Sequence, residues 1–135
     1  MRSIDGGRER PVSRDYEGYL PNGQLVRQGF DVRTLVVAVK ANCHGCASLL
    51  GASREDFGAV SVLVIAASAI DEPQWRQSSL DRLISPSLFE ALDIRFPPLW
   101  VLVDGERGLV LREGVPFGPR QIAEEIADLT LMSQA

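Results

Sequence analysis

The sequence has few of the residues that build metal sites and disulfide scaffolds. Its 135 residues include only two cysteines and one histidine. A structural zinc site needs four ligands, and a small secreted scaffold needs several cysteines spread along the chain, so neither class fits. A disulfide between cysteines three positions apart closes almost no loop and adds little chain-entropy stability. If these two cysteines pair, we expect the reason to be chemical.

Long apolar runs and an excess of positive charge are also absent. The longest nearly apolar run, residues 59–70, is too short to span a bilayer and is typical of a buried strand. The polar start lacks the apolar segment of a signal peptide. We therefore expect a cytoplasmic protein from the chain as given, or an extracytoplasmic one if an N-terminal anchor or signal has been removed. A net charge of -4 with scattered basic residues argues against nucleic acid as a partner.

What is present predicts one α/β domain. The apolar fraction of 45% and charged fraction of 24% are ordinary for a globular protein. We predict a flexible leader over residues 1–15 and a single domain over residues 16–135. The order of elements is hairpin, β, α, β, α, α, β, β, α. This order implies a central mixed β-sheet flanked by helices on both faces.

Local signals place these elements. Asn22-Gly23 between apolar flanks predicts a hairpin, because both residues accept positive φ. Ser85-Pro86 predicts a helix start, with serine as N-cap and proline at the first helical position. Residues 71–83 are mixed and fit one short helix with a loop or a short edge strand. Further strands are predicted at residues 34–39, 60–66, 99–103 and 109–112, and a last helix opens at Gly118-Pro119.

The two cysteines stand where a predicted strand ends and a helix begins, in Cys43-His44-Gly45-Cys46. A helix N-terminus carries partial positive charge, and it can lower a thiol pKa from about 8.5 to roughly 3.5–7.5. Cys43 comes first and is expected to be the more exposed, attacking thiolate. Cys46, one helical turn further on, would resolve the mixed disulfide. Two inert buried cysteines remain the alternative.

The neighbours of the cysteines each allow two interpretations. The ring of His44 either tunes the Cys43 thiolate or is exposed and passive. Lys40 either faces the site and lowers the thiol pKa or is a solvated strand end. Gly45 is expected to let the backbone pack tightly beside the sulfurs.

These residues resemble the thioredoxin-like superfamily, nearest to the TlpA-type and methylamine-utilisation-type thiol-disulfide oxidoreductases. The strand running into the cysteine motif, the proline segment at residues 91–101, and Val103-Asp104-Gly105 before a hairpin and terminal helix carry the likeness. The resemblance covers about residues 17 to 132. It implies a thioredoxin fold, here with the Asn22-Gly23 hairpin as an N-terminal extension.

By that resemblance, Pro98 is the cis-proline packed against the cysteine pair, and Pro97 and Pro98 contact substrate. The family pairs the residue before the cis-proline with an extended substrate chain. Pro97 has no N–H to donate, so only its carbonyl remains. The alternative is a rigid Pro-Pro strand entry without a role in substrate binding.

Two further positions depart from the family pattern. Asn42 replaces the tryptophan that usually precedes the first cysteine, and we expect it to cap the helix. Val37 replaces the buried acid that thioredoxins place six residues before that cysteine. Another carboxylate, such as Glu55 or Asp56, would have to take over its role in proton transfer.

The resemblance implies a thiol-disulfide oxidoreductase that uses Cys43 and Cys46, with His44, Gly45 and Asn42 tuning the site. Its partners would be protein thiols or disulfides and an upstream electron donor or acceptor, and no metal or organic cofactor is implied. The competing interpretation is a redox-degenerate binding module of the same fold. A peroxidase-like use is disfavoured, because Val39 and Lys40 stand where such sites usually have Thr or Pro.

Overall fold

The computed structural model describes residues 9–134, with side chains to residue 129, and its centre is an eight-stranded mixed sheet. The strands are β1 (Arg10–Pro11), β2 (Asp15–Tyr19), β3 (Leu25–Gly29), β4 (Arg33–Val39), β5 (Ser61–Ala66), β6 (Asp81–Ile84), β7 (Leu99–Asp104) and β8 (Leu109–Gly114). The helices are α1 (Cys46–Leu50), α2 (Pro73–Gln77), α3 (Pro86–Ala91) and α4 (Pro119–Gln134), with a 3₁₀ turn at Arg54–Phe57. No helix in this part of the chain is long and apolar enough to cross a membrane.

The sheet runs in the order β1-β8-β7-β4-β5-β6-β2-β3. Strand β5 pairs in parallel with β4 on one side and with β6 on the other. The other strand pairings are antiparallel. The central mixed sheet predicted from the sequence is therefore confirmed. The mixed segment at residues 71–83 holds both α2 and β6, and β6 lies inside the sheet because the β2–β3 hairpin covers its outer side.

Strand β4 is buried on both faces and separates two apolar clusters. Side chains alternate across a strand, so Leu35, Val37 and Val39 face one cluster while Val36 and Ala38 face the other. The first cluster is covered by α1, the 3₁₀ turn, α2 and α4, and the second by α3. Helices on both faces are thus confirmed.

The strand register brings several chain segments to one edge of the sheet. Ala38 near the end of β4 pairs with Ile65 in parallel and with Leu99 in antiparallel register. The segments after β4, after β5 and before β7 therefore share one edge, which we call the site edge. The segment after β8 joins them, because β8 ends at the start of β7 with Gly114 opposite Trp100.

The predicted hairpin is present as β2 and β3, with Tyr19 opposite Leu25 as the last pair. Gly23 adopts φ 91° in the connecting loop. Asn22 does not adopt the positive φ that its residue type accepts. Its side-chain oxygen instead accepts the N–H of Gln24 at 2.9 Å, which a loop longer than two residues allows.

The predicted leader overlaps the sheet. Residues 1–8 lie outside the described part, but Arg10 and Pro11 form β1 alongside β8. The Arg10 guanidinium donates to the Leu92 carbonyl at 3.0 Å and to the Glu113 carboxylate at 2.8 Å. Residues 10 and 11 are therefore held by strand pairing with β8 and by side-chain hydrogen bonds of Arg10. This differs from the flexible leader predicted there.

The helix start predicted at Ser85-Pro86 is present. The Ser85 hydroxyl accepts the N–H of Leu88 at 3.2 Å, and Pro86 opens α3. Asp104 organises the β7–β8 turn by accepting the N–H groups of Glu106 and Arg107. The side-chain hydrogen bond from Arg107 holds the pKa of the Asp104 carboxyl below its usual range.

We expect Gly105→Ala to lower the free energy of unfolding by about 1–3 kcal/mol, because small-to-large changes at packed positions force backbone shifts. A Cβ at Gly105 would lie 2.5 Å from the Val32 carbonyl oxygen and 2.8 Å from the Phe30 carbonyl carbon. Gly45 is the matched control, since a Cβ there has no neighbour within 4 Å. Urea unfolding of both oxidised variants measures the difference, and equal midpoints would contradict the expectation.

Candidate active site

Cys43 and Cys46 are joined by a disulfide, with their Cα atoms 5.3 Å apart. Cys43 is half-buried, whereas Cys46 is 2% exposed. The N–H of Cys46 donates to the Cys43 carbonyl at 3.2 Å, which closes the turn between them. The difference in exposure expected from the sequence is present, so an approaching sulfur would reach Cys43 first.

Helix α1 begins at Cys46 itself, spans 5 residues and has Gly45 as its N-cap. Asn42 does not cap it, so the expectation for that side chain was wrong. Asn42 instead adopts φ 57°, a left-handed conformation that asparagine tolerates better than most residues. Because the macrodipole is a sum over aligned peptides, so short a helix favours a thiolate less than the sequence suggested.

His44 and Gly45 are both exposed. The open space around Gly45 shows that close backbone packing is not the reason for glycine at this position. His44 lines an open groove of about 420 Å³ beside the disulfide. The other lining residues are Asn42, Cys43, Ala47, Glu72 and Gln74.

Glu72 is the carboxylate that the sequence analysis missed. Its Oε2 accepts the backbone N–H of Asn42 at 2.8 Å, directly before the first cysteine. The sequence did contain a signal for this carboxylate. The acidic pair Asp71-Glu72 follows β5 as the cysteines follow β4, and parallel neighbouring strands end at the same edge of a sheet.

Glu55 and Asp56 are not at this site. Both lie in the 3₁₀ turn that leads into the amino end of β5, which is the edge opposite to the site edge. The Asp56 carboxylate accepts the N–H of Ser53 at 2.9 Å and closes a capping box. Neither carboxylate can replace the missing acid near the cysteines.

The position of that missing acid is apolar throughout. Val37 is 0% exposed and belongs to the same cluster as Cys46 and Trp100. Trp100 lies opposite Val37 on β7, and its Nε1–H has no hydrogen-bond partner within the described residues. Among the described residues the buried polar side chains are those of Thr34, Ser78 and Ser85, so none of them is a carboxylate.

The peptide bond between Pro97 and Pro98 is cis, and both residues are half-buried. They directly precede Leu99, the first residue of β7, and so lie at the site edge. Phe96, directly before the proline pair, is 85% exposed, and Phe117, in the segment that follows β8 at the same edge, is 83% exposed. The site edge thus presents a disulfide, a proline pair and two aromatic side chains.

The described residues contain no group of three or more His, Cys, Asp or Glu side chains arranged to hold a metal ion. The reactive or ionisable side chains that line the groove beside the disulfide are Cys43, the imidazole of His44 and the carboxylate of Glu72.

No protein-family model and no curated protein matches this chain, but solved structures do. The thioredoxin domain of a thiol-disulfide oxidoreductase from Bacteroides vulgatus superposes with a TM-score of 0.63 at 16% identity, covering 94% of this chain and 99% of that one. A putative thiol:disulfide interchange protein DsbE from Chlorobium tepidum gives 0.62 at 16% identity, covering 98% and 100%. The chain has the thioredoxin fold.

The thioredoxin fold by itself does not select one chemistry. The mitochondrial 2-Cys peroxiredoxin from Plasmodium falciparum also superposes, with a TM-score of 0.63 at 10% identity, covering 93% of this chain and 94% of that one. The family resemblance inferred from the sequence is confirmed at the level of the fold, and the choice of activity depends on the site.

Proposed function

We propose that this protein is a thiol-disulfide oxidoreductase that exchanges its Cys43–Cys46 disulfide or dithiol with protein thiols. The observation that carries the proposal is a disulfide between one half-buried and one fully buried cysteine at a strand-to-helix junction of a thioredoxin fold. Solved structures of the same fold, one described as a thiol-disulfide oxidoreductase and one as a putative thiol:disulfide interchange protein, support it.

The exchange proceeds in two balanced steps. The Cys43 thiolate attacks one sulfur of the partner's disulfide, so that a Cys43–partner bond forms and the other partner sulfur leaves as a thiolate. Cys46 then loses its proton and attacks the Cys43 sulfur, which releases the second partner thiolate and forms the Cys43–Cys46 disulfide. The partner gains two electrons, and its two thiolates take up the protons that Cys43 and Cys46 gave to solvent. Run in reverse, the same steps oxidise a partner.

Protein substrates fit the site edge better than a small molecule. The groove beside Cys43 is open, whereas small-molecule sites enclose most of their ligand. Phe96 and Phe117 offer exposed aromatic area of the kind found in protein interfaces. Pro97 and Pro98 are proposed to contact the substrate chain, with Pro97 accepting a hydrogen bond through its carbonyl and donating none.

Reduction of insulin by dithiothreitol, followed by turbidity, tests the proposal. We expect the wild-type protein to accelerate precipitation of the insulin chains. The matched control is the Cys43→Ser/Cys46→Ser double variant, which lacks both reactive sulfurs. If the two proteins precipitate insulin at equal rates, exchange is not the function and the binding module of the same fold is favoured instead.

A further inference from the structure

The side chain of Glu72 makes an unusual connection. By its backbone Glu72 is the N-cap of α2, and its carbonyl accepts the N–H of Arg76 at 3.1 Å. An acidic N-cap side chain normally accepts an N–H of its own helix. Here the carboxylate makes no such bond and reaches the N–H of Asn42, 30 residues away in the sequence.

That bond fixes the backbone directly before the reactive cysteine. Asn42 is in the left-handed region, and its N–H points to a carboxylate 2.8 Å away. Hydrogen bonds with a charged partner are about twice as strong as neutral ones. The Cys43 carbonyl is held on the other side by the N–H of Cys46. The loop from β4 to α1 is thus anchored before and after Cys43.

We propose that Glu72 is a positioning residue of this site: its carboxylate anchors the Asn42–Cys43 backbone, and its negative charge opposes formation of the Cys43 thiolate. The inference rests on the proposed exchange function. A nearby like charge disfavours a second anion, so Glu72 destabilises the ionised dithiol and favours the disulfide. Glu72 therefore biases the protein toward donating electrons.

The other charged groups around Cys43 do not replace Glu72. Of the groove residues, Cys43, His44 and Glu72 are titratable. Lys40, at the end of β4, is exposed to solvent. On α2, Arg76 is paired with Asp71, and before the proline pair Arg95 is paired with Asp93. Glu72 is thus the carboxylate that faces the loop directly.

Two substitutions separate the charge from the anchor. Glu72→Gln keeps a side-chain oxygen that accepts the Asn42 N–H but removes the charge, whereas Glu72→Ala removes both. Glu55→Gln makes the same charge change in the 3₁₀ turn at the opposite edge and serves as the control. The pKa of Cys43 is read from the pH dependence of alkylation by iodoacetamide in the fully reduced proteins.

We expect Glu72→Gln to lower the Cys43 pKa by about half a unit to one unit, and Glu55→Gln to leave it at the wild-type value. At a pH well above both Cys43 pKa values, where the thiolate predominates in both proteins, the glutathione equilibrium should then shift about threefold to tenfold toward the dithiol. In the insulin assay Glu72→Ala should slow exchange while Glu72→Gln retains it, because only the alanine variant loses the anchor.

An unchanged or raised Cys43 pKa in Glu72→Gln would overturn the electrostatic part of the proposal. Equal exchange rates in Glu72→Gln and Glu72→Ala would overturn the anchoring part. The alkylation measurement needs no turnover of a protein partner. A pKa shift with no insulin reduction by the wild type would therefore refute the exchange function and leave the charge effect standing.

Discussion

Replacing Cys46 by serine should trap this protein on its substrate, whereas replacing Cys43 by serine should abolish exchange without any adduct. The reason is the unequal exposure of the two sulfurs. A Cys46→Ser protein still presents the half-buried Cys43 to a partner disulfide and forms the mixed disulfide. It has no neighbouring thiolate to break that bond. A Cys43→Ser protein retains only a sulfur that is 2% exposed.

The expected effect on release is large. Attack by a neighbouring group has an effective concentration of up to about 10⁵–10⁸ M in well-oriented cases, which a millimolar external thiol cannot match. We therefore expect release of the partner from Cys46→Ser to be slower by more than about a hundredfold. Non-reducing gels and intact-mass measurement after mixing with insulin detect the adduct. An adduct on Cys43→Ser but not on Cys46→Ser would reverse the two roles.

Replacing the buried Val37 by aspartate should strongly destabilise the protein. Val37 is fully buried in an apolar cluster, so the carboxylate of Val37→Asp would lose its water without gaining an ion-pair partner. An uncompensated buried charge costs about 3–5 kcal/mol. We expect a loss of this size in the free energy of unfolding at pH 7, measured by urea denaturation of the oxidised protein.

The pH dependence of Val37→Asp identifies the cause. Burial raises the folded-state pKa of the new carboxyl above its unfolded value of about 3.9. At pH values between the unfolded-state and folded-state pKa, the folded state binds more protons than the unfolded state. The free energy of unfolding therefore falls as pH rises from the lower pKa to the higher one. Val37→Asn provides the neutral control and should show a smaller loss without this slope. Equal losses at pH 5 and pH 8 in Val37→Asp would mean that its carboxyl is not desolvated.

Much of the fold was predictable because its main elements have strong local patterns. The apolar runs around Val37 and Leu63 are short and rich in β-branched residues, which favours buried strands over helices. Ser85-Pro86 has the chemistry of a helix start, and the structure shows the expected cap. Strand β1 was missed, because two residues carry no periodicity and their partner strand β8 is far away in the sequence.

The candidate site was predictable only in part. The spacing of Cys43 and Cys46 is local information, since residues three apart can meet within one turn. The assignments of Asn42 as helix cap and Gly45 as a close-packing position failed, because both depend on where α1 begins. The sequence also offered Glu55 and Asp56 as substitute acids, but position along the chain does not tell which edge of the sheet a loop reaches.

By itself, therefore, the sequence determined an α/β domain and pointed to Cys43 and Cys46 as its candidate reactive pair. The tertiary structure alone decided which carboxylate lies beside the cysteine pair. The parallel pairing of β4 with β5 brings Glu72 within hydrogen-bonding distance of Asn42 across 30 residues of chain. Contacts of this kind depend on the order of the strands in the sheet, which no local sequence pattern specifies.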